Sequence, residues 1–373
     1  MITRVLIENF KAFREAEINL TALNLFTGLN GMGKSSFIQS LLLLRQSELE
    51  GKSLTGRLML KGSLIDIGKG KDAFSISATS DHIKFEVDEN YKPMIDVRYK
   101  YLSELDALPV DPEHAVFENS KDQSALFNSN FKYLKADRIA PEHNYKANLF
   151  AVLEQRFMGY KGENTALFIA LFKLDPVTIE EVHHPKAKTN NLIDNIDAWM
   201  NEITPGAHVI STYYNDLDVV KLSYTFDAGN DVTPDFSPVN TGFGFTYTLP
   251  VIATVLSAKK GDLIVIENPE CHLHPQGQAK LGELLAKAAA GGAQIIIESH
   301  SDHLLNGIRV AVKNKAIDSN SVSIFYFERD VNDDLHTTTI DQPFIESDGR
   351  LSHQPTGFFD EYAKQLDNLI RPA

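Results

Sequence analysis

Four short stretches carry side chains whose types and spacing suit work on a nucleotide. "FTGLNGMGKSSF", Phe26 to Phe37, follows an apolar run and matches G-x-x-x-x-G-K-[ST] through Gly28, Gly33, Lys34 and Ser35. The glycines let backbone N–H groups turn inward on phosphates, and a helix beginning near Lys34 adds its positive end. Lys34 supplies a point charge to the β- and γ-phosphates, and the Ser35 hydroxyl is placed to ligate Mg²⁺. Asn30, Gly31 and Ser36 complete the predicted ATP cradle. Such a cradle needs a carboxylate at the end of a neighbouring buried strand, holding Mg²⁺ directly or through water. "LIVIENPE" supplies Glu267, the first charge after Leu263–Ile266. The next apolar strand ends in "IIIESHSDH" and presents His300, read as a γ-phosphate sensor. In "NTGFGF", Thr241, Gly242 and Gly244 precede a helix and form a second candidate anion site. One chain has no need of two phosphate sites for one nucleotide. A dimer does, if each copy's turn closes on the other's γ-phosphate.

These residues require strands and helices in a particular order. "RVLIENF" and, after a turn, "LNLFTG" read as strands, and "GKSSFIQSLLLLRQSELEG" as a helix closing at Gly51. From Leu58 to Tyr101, "SLIDIG", "AFSISAT", "IKFEV" and "MIDVRYKYL" alternate with turn residues and predict an antiparallel sheet. "DPEHAVFENSKDQS" reads as a polar stretch, and "FKYLKADRIAP" as a strand with a charged end. Residues 148–203 read as mainly helical, with Leu192, Ile196 and Trp199 at helical spacing, and "HVISTYY" and "VVKLSYTF" return to strands. After Asn240 apolar strands ("LIVIE", "AQIIIES", "SVSIFYFE") alternate with helices, which predicts a mainly parallel sheet covered on both faces. The expected architecture is α/β, one discontinuous ATPase domain. Residues 1–135 form a lobe with the cradle and the antiparallel β subdomain. Residues 136–235 form a mainly helical insertion with strands, and 236–373 a second lobe.

Composition narrows the function. The chain has 373 residues, 43% apolar and 23% charged, and a formal net charge of −14. That excludes a surface that is basic throughout and sheathes nucleic acid, although a local basic patch or a basic partner stays open. A single cysteine, Cys271, excludes an intrachain disulfide and a cysteine-based zinc cluster. The N-terminus does not read as a signal peptide, and "FIQSLLLLRQ" is far short of the ~20 residues that span a bilayer. A cytoplasmic location is expected.

With the four elements in this order, the chain resembles the ABC-type ATPases of the SMC, RecF and OLD (overcoming lysogenization defect) group. "VLIENFKAF" looks like the group's first strand and turn, and "FTGLNGMGKSS" like its Walker A. "NTGFGFTYTLP" looks like a degenerate signature motif, "LIVIENPECHLHPQGQ" like Walker B, and "IIIESHSDHLLNGIR" like the His switch. "YLKADRIAP", "MGYKGENTA" and "DGRLSHQPTGFFDEYAKQL" are similar to segments of stand-alone bacterial OLD-like ATPases. The resemblance implies a P-loop fold of the ABC/SMC-head type. It also implies head-to-tail dimers with ATP between Walker A of one copy and the signature turn of the other. Work on or around DNA follows from it too, often in repair or in defence against phage and plasmids beside a separate effector protein.

Departures from the group sharpen these expectations. Relatives commonly carry an acidic pair before the proline; here the second position is Asn268, which orients a water but cannot take its proton. Glu270 is the available substitute, and slow hydrolysis with a long-lived ATP-bound dimer is expected. OLD nucleases add a C-terminal Toprim domain for which the tail after His300 leaves little room, so nuclease activity is not expected. Glu328, Asp330, Asp333 and Asp334 in "FERDVNDDLH" read as a solvated hairpin turn. "CHLHP" reads as a turn serving dimer contacts rather than a metal site, and His183 and His184 as surface residues. Two roles are open for Arg138, a phosphate or partner-nucleotide contact and an ion pair with Asp137 or Glu142. Besides an ATPase gating an effector, two other readings stand: a scaffold that binds ATP without hydrolysing it and holds a toxin or nuclease, and a RecF-like repair mediator.

Overall fold

The computed structural model describes the chain apart from residues 51–53, 55, 118–122, 330–336, 356, 359, 360 and 371–373. The strands are β1 (Ile2–Phe10), β2 (Phe13–Asn19), β3 (Leu23–Gly28), β4 (Arg57–Met59), β5 (His82–Glu89), β6 (Lys92–Lys100), β7 (Ala107–Phe117), β8 (Phe131–Leu134), β9 (Tyr145–Lys146), β10 (Ala207–Tyr214), β11 (Val219–Ala228), β12 (Asp231–Val232), β13 (Leu263–Glu267), β14 (Gln294–Glu298), β15 (Val322–Arg329) and β16 (Thr338–Asp341). The helices are α1 (Lys34–Leu49), α2 (Gly70–Ala73), α3 (Thr165–Phe172), α4 (Leu192–Ile203), α5 (Phe243–Leu256), α6 (Pro275–Ala290), α7 (Asp302–Lys313) and α8 (Glu361–Ile370). Two units are distinct: Met1–Phe131 with Val322–Phe344 and Leu351–Ala373, and Lys132–Ser321 with Ile345–Arg350.

The first unit holds an antiparallel sheet in the order β2-β1-β5-β6-β7-β4. Alternation sets its faces: Ile83, Phe85 and Val87 of β5 and Ile95, Val97 and Tyr99 of β6 are buried. On the polar face Arg4 bridges Glu17 at 3.0 Å and Glu86 at 2.9 Å across the strands. The same unit contains β16-β15-β3, in which β15 and β3 run parallel with Phe327 opposite Gly28. Phe26 of β3 stacks on Phe37 of α1 (centroids 4.5 Å apart) and on Phe325 of β15 (4.8 Å). All three rings are fully buried, each contributing roughly 1.5–3 kcal/mol. They fix the strand–loop–helix geometry from which the first functional loop hangs.

The second unit contains β14-β13-β8, with β13 and β14 parallel from Leu263 opposite Gln294 to Glu267 opposite Glu298. Helices α6 and α7 approach closely enough that a Cβ on Gly282 would stand 2.3 Å from the Leu304 carbonyl oxygen, and one on Gly307 2.0 Å from that of Ala279. A separate sheet, β10-β11-β12 with β9 on β11, adjoins α3 and α4. Among the described residues no helix is long and apolar enough to cross a membrane.

Several local expectations need correction. Residues 63–68 and 74–79 form turns and bends on either side of the short α2 rather than strands. There Asp66 accepts the Gly68 N–H and Asp72 the Lys69 N–H, both at 2.9 Å, so side chains compete with ladder formation. β2 is an extra edge strand; its exposed Arg14, Glu15 and Glu17 hide the alternation that buries Phe13, Ala16 and Ile18. β7 continues into the first half of the stretch read as polar, pairing Val116 with Asp96. His184 is buried rather than on the surface. Its ring meets Trp199 edge-on at 4.9 Å, and burial pulls its pKa below the usual histidine value.

Candidate nucleotide site

β3 delivers the chain to Gly28, where β15 leaves no space for a side chain: a Cβ would lie 2.2 Å from the Phe327 carbonyl oxygen. Gly31 and Gly33 take the left-handed conformation, with φ of 78° and 105°. Gly33 is packed against Ala12 and Phe13, whereas nothing lies within 4 Å of a Cβ position on Gly31. Gly33 is also the N-cap of α1, with no side-chain cap and no acidic residue in the first turn. No capping side chain and no first-turn carboxylate offsets the positive helix end, a setting that suits an anion. Lys34 is buried, and its Nζ donates to the carbonyls of Gly28 at 2.9 Å and Leu29 at 2.7 Å. Asn30, Gly31 and Ser35 are exposed at the mouth, and Ser36 is buried behind them. An exposed glycine loop at a helix start, an ammonium held on carbonyl oxygens and an exposed serine fit an ATP triphosphate with Mg²⁺.

The second cluster is built on β13 and β14. Glu267 is half-buried, and its carboxylate accepts from the Tyr133 hydroxyl at 2.8 Å and the Ala136 N–H at 3.0 Å. Burial, reinforced by the Glu267 charge, pushes the Tyr133 phenol well above its ordinary range. The chain then turns through Asn268 in the left-handed region, φ 43°, and its N–H bonds the Glu298 carbonyl at 2.8 Å. Arg138 fixes that turn. Only 2% exposed, it donates to the carbonyls of Glu267 at 2.7 Å and Asn268 at 3.1 Å. The ion-pair expectation for Arg138 is thus corrected: Asp137 is bound by Lys161, and the guanidinium is committed to backbone, with burial pulling its pKa down. Glu270 folds back so that one carboxylate oxygen accepts the His300 N–H at 2.9 Å. Its Oε2, like Asn268 Oδ1, is buried and has no hydrogen-bond partner. His300 itself is exposed, just before Ser301, which caps α7 by accepting from Leu304 N–H at 2.9 Å.

The glycine turn before α5 divides its work. Gly242 is the N-cap, with open space around it, while a Cβ on Gly244 would stand 2.8 Å from the His272 carbonyl oxygen. Phe243, Tyr247 and His272 cluster there, Tyr247 and His272 at 4.7 Å. The Thr241 hydroxyl donates to the Pro238 carbonyl at 3.0 Å. His274 caps α6 by accepting the Gln276 N–H, and burial pushes the Cys271 thiol up. Glu328 is exposed at the end of β15; Asp330, Asp333 and Asp334 lie outside the described residues. Sequence reasoning missed Tyr133, whose hydroxyl holds Glu267, and Glu298, a buried carboxylate in register with it. Glu298 was legible as the last residue of the run that ends beside His300. Tyr133 had no sequence signal.

Known proteins supply the context for this geometry. The Smc head bound to the C-winged helix domain of ScpA superposes with a TM-score of 0.54 at 14% identity, covering 92% of this chain and 98% of that one. The Smc head with an extended coiled coil bound to the C-terminal domain of ScpA, from Pyrococcus furiosus, gives 0.50 at 12% identity, with 99% of each chain covered. The likeness is one of fold: an α/β P-loop NTPase of the ABC/SMC-head type. No curated protein matches the sequence. Residues 317–369 match a family described as a protein of unknown function, DUF3696. Residues 23–306, spanning the cradle, the glycine turn and both acidic strand ends, match the family "AAA domain, putative AbiEii toxin, Type IV TA system", and the chain belongs to that family.

Proposed function

We propose that this chain is a slow, Mg²⁺-dependent ATPase that closes head to tail with a second copy around two ATP molecules. We further propose that the closed dimer controls a separate effector, as in stand-alone OLD-like systems, in DNA-linked bacterial defence. The observation that carries the ATPase reading is the Lys34 loop: a helix start without a side-chain cap, an exposed glycine at Gly31 and a buried ammonium held on two carbonyls. In this reading Lys34 and the amides of residues 31–36 bind the β- and γ-phosphates. Ser35 and Glu267 would hold Mg²⁺, which neutralises phosphate charge when bound. His300 reads the terminal phosphate, and Thr241, Gly242 and Gly244 meet the nucleotide of the other copy. Glu270 takes the proton of the attacking water that Asn268 orients. The family's link to toxin–antitoxin systems supports a role in defence.

Closure that inverts a 1:99 population needs about 10⁴-fold tighter ATP binding to the closed dimer, roughly 5.5 kcal/mol. Two shared γ-phosphates with charge-assisted contacts supply that order. The test is phosphate release and light-scattering mass of the full chain with Mg²⁺ and ATP. Slow turnover and an ATP-dependent doubling of mass are expected, both lost in Lys34→Ala. Tight ATP binding by Lys34→Ala would refute the cradle. One observation favours the scaffold reading instead: Asn268, where a proton acceptor is usual, cannot act as a base. Glu267→Gln separates the two, trapping one state of a cycling enzyme but altering only Mg²⁺-dependent assembly in a scaffold.

A further inference from the structure

We infer that Arg329 is a second phosphate-binding cation of the P-loop, one that leaves the Gly31 carbonyl to grip the terminal phosphate of ATP bound to the same copy. The inference rests on the reading of the Lys34 loop as an ATP site and adds a ligand that its motif does not contain. Arg329 closes β15, which runs parallel to β3 with Phe327 opposite Gly28. Two residues past that pair, its guanidinium reaches the loop and Nη2 donates to the Gly31 carbonyl at 2.8 Å. Gly31 is the exposed midpoint of the loop, and among the described residues no atom lies within 4 Å of the place where its side chain would stand. The arginine therefore sits on the rim of an open cradle.

The electrostatics point the same way. Nε of Arg329 is buried with no hydrogen-bond partner, and among the described residues Arg329 forms no ion pair. A guanidinium that has lost water from one edge and has gained only a neutral carbonyl is poorly compensated. Exchange of a carbonyl for a phosphate oxygen replaces a charge–dipole bond by a bond between two ions, and the planar fork suits a phosphate bidentately. The backbone need not move. Arg329 is anchored opposite Thr338 in the β15–β16 hairpin, and side-chain rotation alone redirects the guanidinium.

The experiment is equilibrium binding of a non-hydrolysable ATP analogue and of ADP, each with Mg²⁺, to the full chain and to Arg329→Ala, Arg329→Gln and Arg329→Lys. Arg329→Ala and Arg329→Gln should weaken the analogue about 10- to 100-fold and leave ADP within about threefold, with Arg329→Lys between them and the parent. Equal losses for both nucleotides would mean that Arg329 only shapes the loop, and no loss for either would mean that it is idle; both overturn the inference. Should the alanine variant fail to fold, the lysine variant, which keeps the charge but not the fork, reads the same ratio. Failure of the parent chain to bind either nucleotide would instead overturn the ATP reading beneath it.

Discussion

Glu270→Gln removes one negative charge and keeps the shape of the turn. The amide oxygen of glutamine occupies the position of the oxygen that now accepts the His300 N–H at 2.9 Å, so the link between the two strand ends survives. What is lost is the second oxygen, buried and without a protein partner, which is the proton acceptor in the proposed hydrolysis. A positioned general base contributes about 10²–10⁴-fold, or about 3–5 kcal/mol of barrier. The change from a charged to a neutral acceptor at His300 costs stability only about 1 kcal/mol. Phosphate release at saturating Mg²⁺-ATP should therefore fall 10²–10⁴-fold, with nucleotide affinity within about threefold. Asn268→Asp is the reciprocal change. Its left-handed backbone, φ 43°, is one that aspartate tolerates nearly as well as asparagine, so a carboxylate is gained with little strain. It should raise turnover at least about tenfold and partly restore Glu270→Gln. If turnover is unchanged in both single variants, neither residue handles the attacking water and the catalytic assignment falls.

Three further perturbations probe the supports. Arg138→Met removes two charged hydrogen bonds to the carbonyls of Glu267 and Asn268 but relieves the burial of a guanidinium that forms no ion pair among the described residues. A net loss of about 2–4 kcal/mol is expected from urea denaturation, and a loss below about 1 kcal/mol would show that the turn holds itself. Gly28→Ala forces a Cβ against the Phe327 carbonyl at φ 129° and should cost at least about 3 kcal/mol, seen as a lower melting temperature together with lost ATP binding. An unchanged melting temperature would contradict the close approach of β15. His184 is held neutral because burial outweighs Glu202, whose charge is shared with Lys186 and Lys280. A histidine lowered in the folded state stabilises fully above the unfolded pKa of about 6.5 and loses that contribution as pH falls towards the folded value. His184→Asn keeps an acceptor for the Lys186 N–H, now bound at 3.2 Å. The parent's stability advantage over it should shrink from pH 7 to pH 5, and a pH-independent difference would refute the assignment.

What was legible follows from where chain geometry is dictated locally. The helix read as "PQGQAKLGELLAKAAA" is α6 to the residue, because Pro275 and Gly291 punctuate it and its apolar positions recur at helical spacing. The apolar strands β13 and β14 and the glycine loop were legible for the same reason: buried strands and positive-φ turns leave few residue types to choose from. Short polar segments were not. β2 hides behind its exposed charges, and the segments flanking α2 bury Leu64 from a bend while leaving Ile76 exposed, so their apolar residues follow no strand period. The functional arginines show the limit more sharply. Arg138 and Arg329 both bond backbone carbonyls, and a carbonyl has no letter in the sequence, so neither partnership could be found by searching for acidic mates. The same fact separates their roles. Arg138 is 2% exposed and spends two donors on the turn it fixes, so its charge is already spoken for by structure. Arg329 spends a single donor on the rim of an open loop. The charge that can move is the one that can sense a nucleotide.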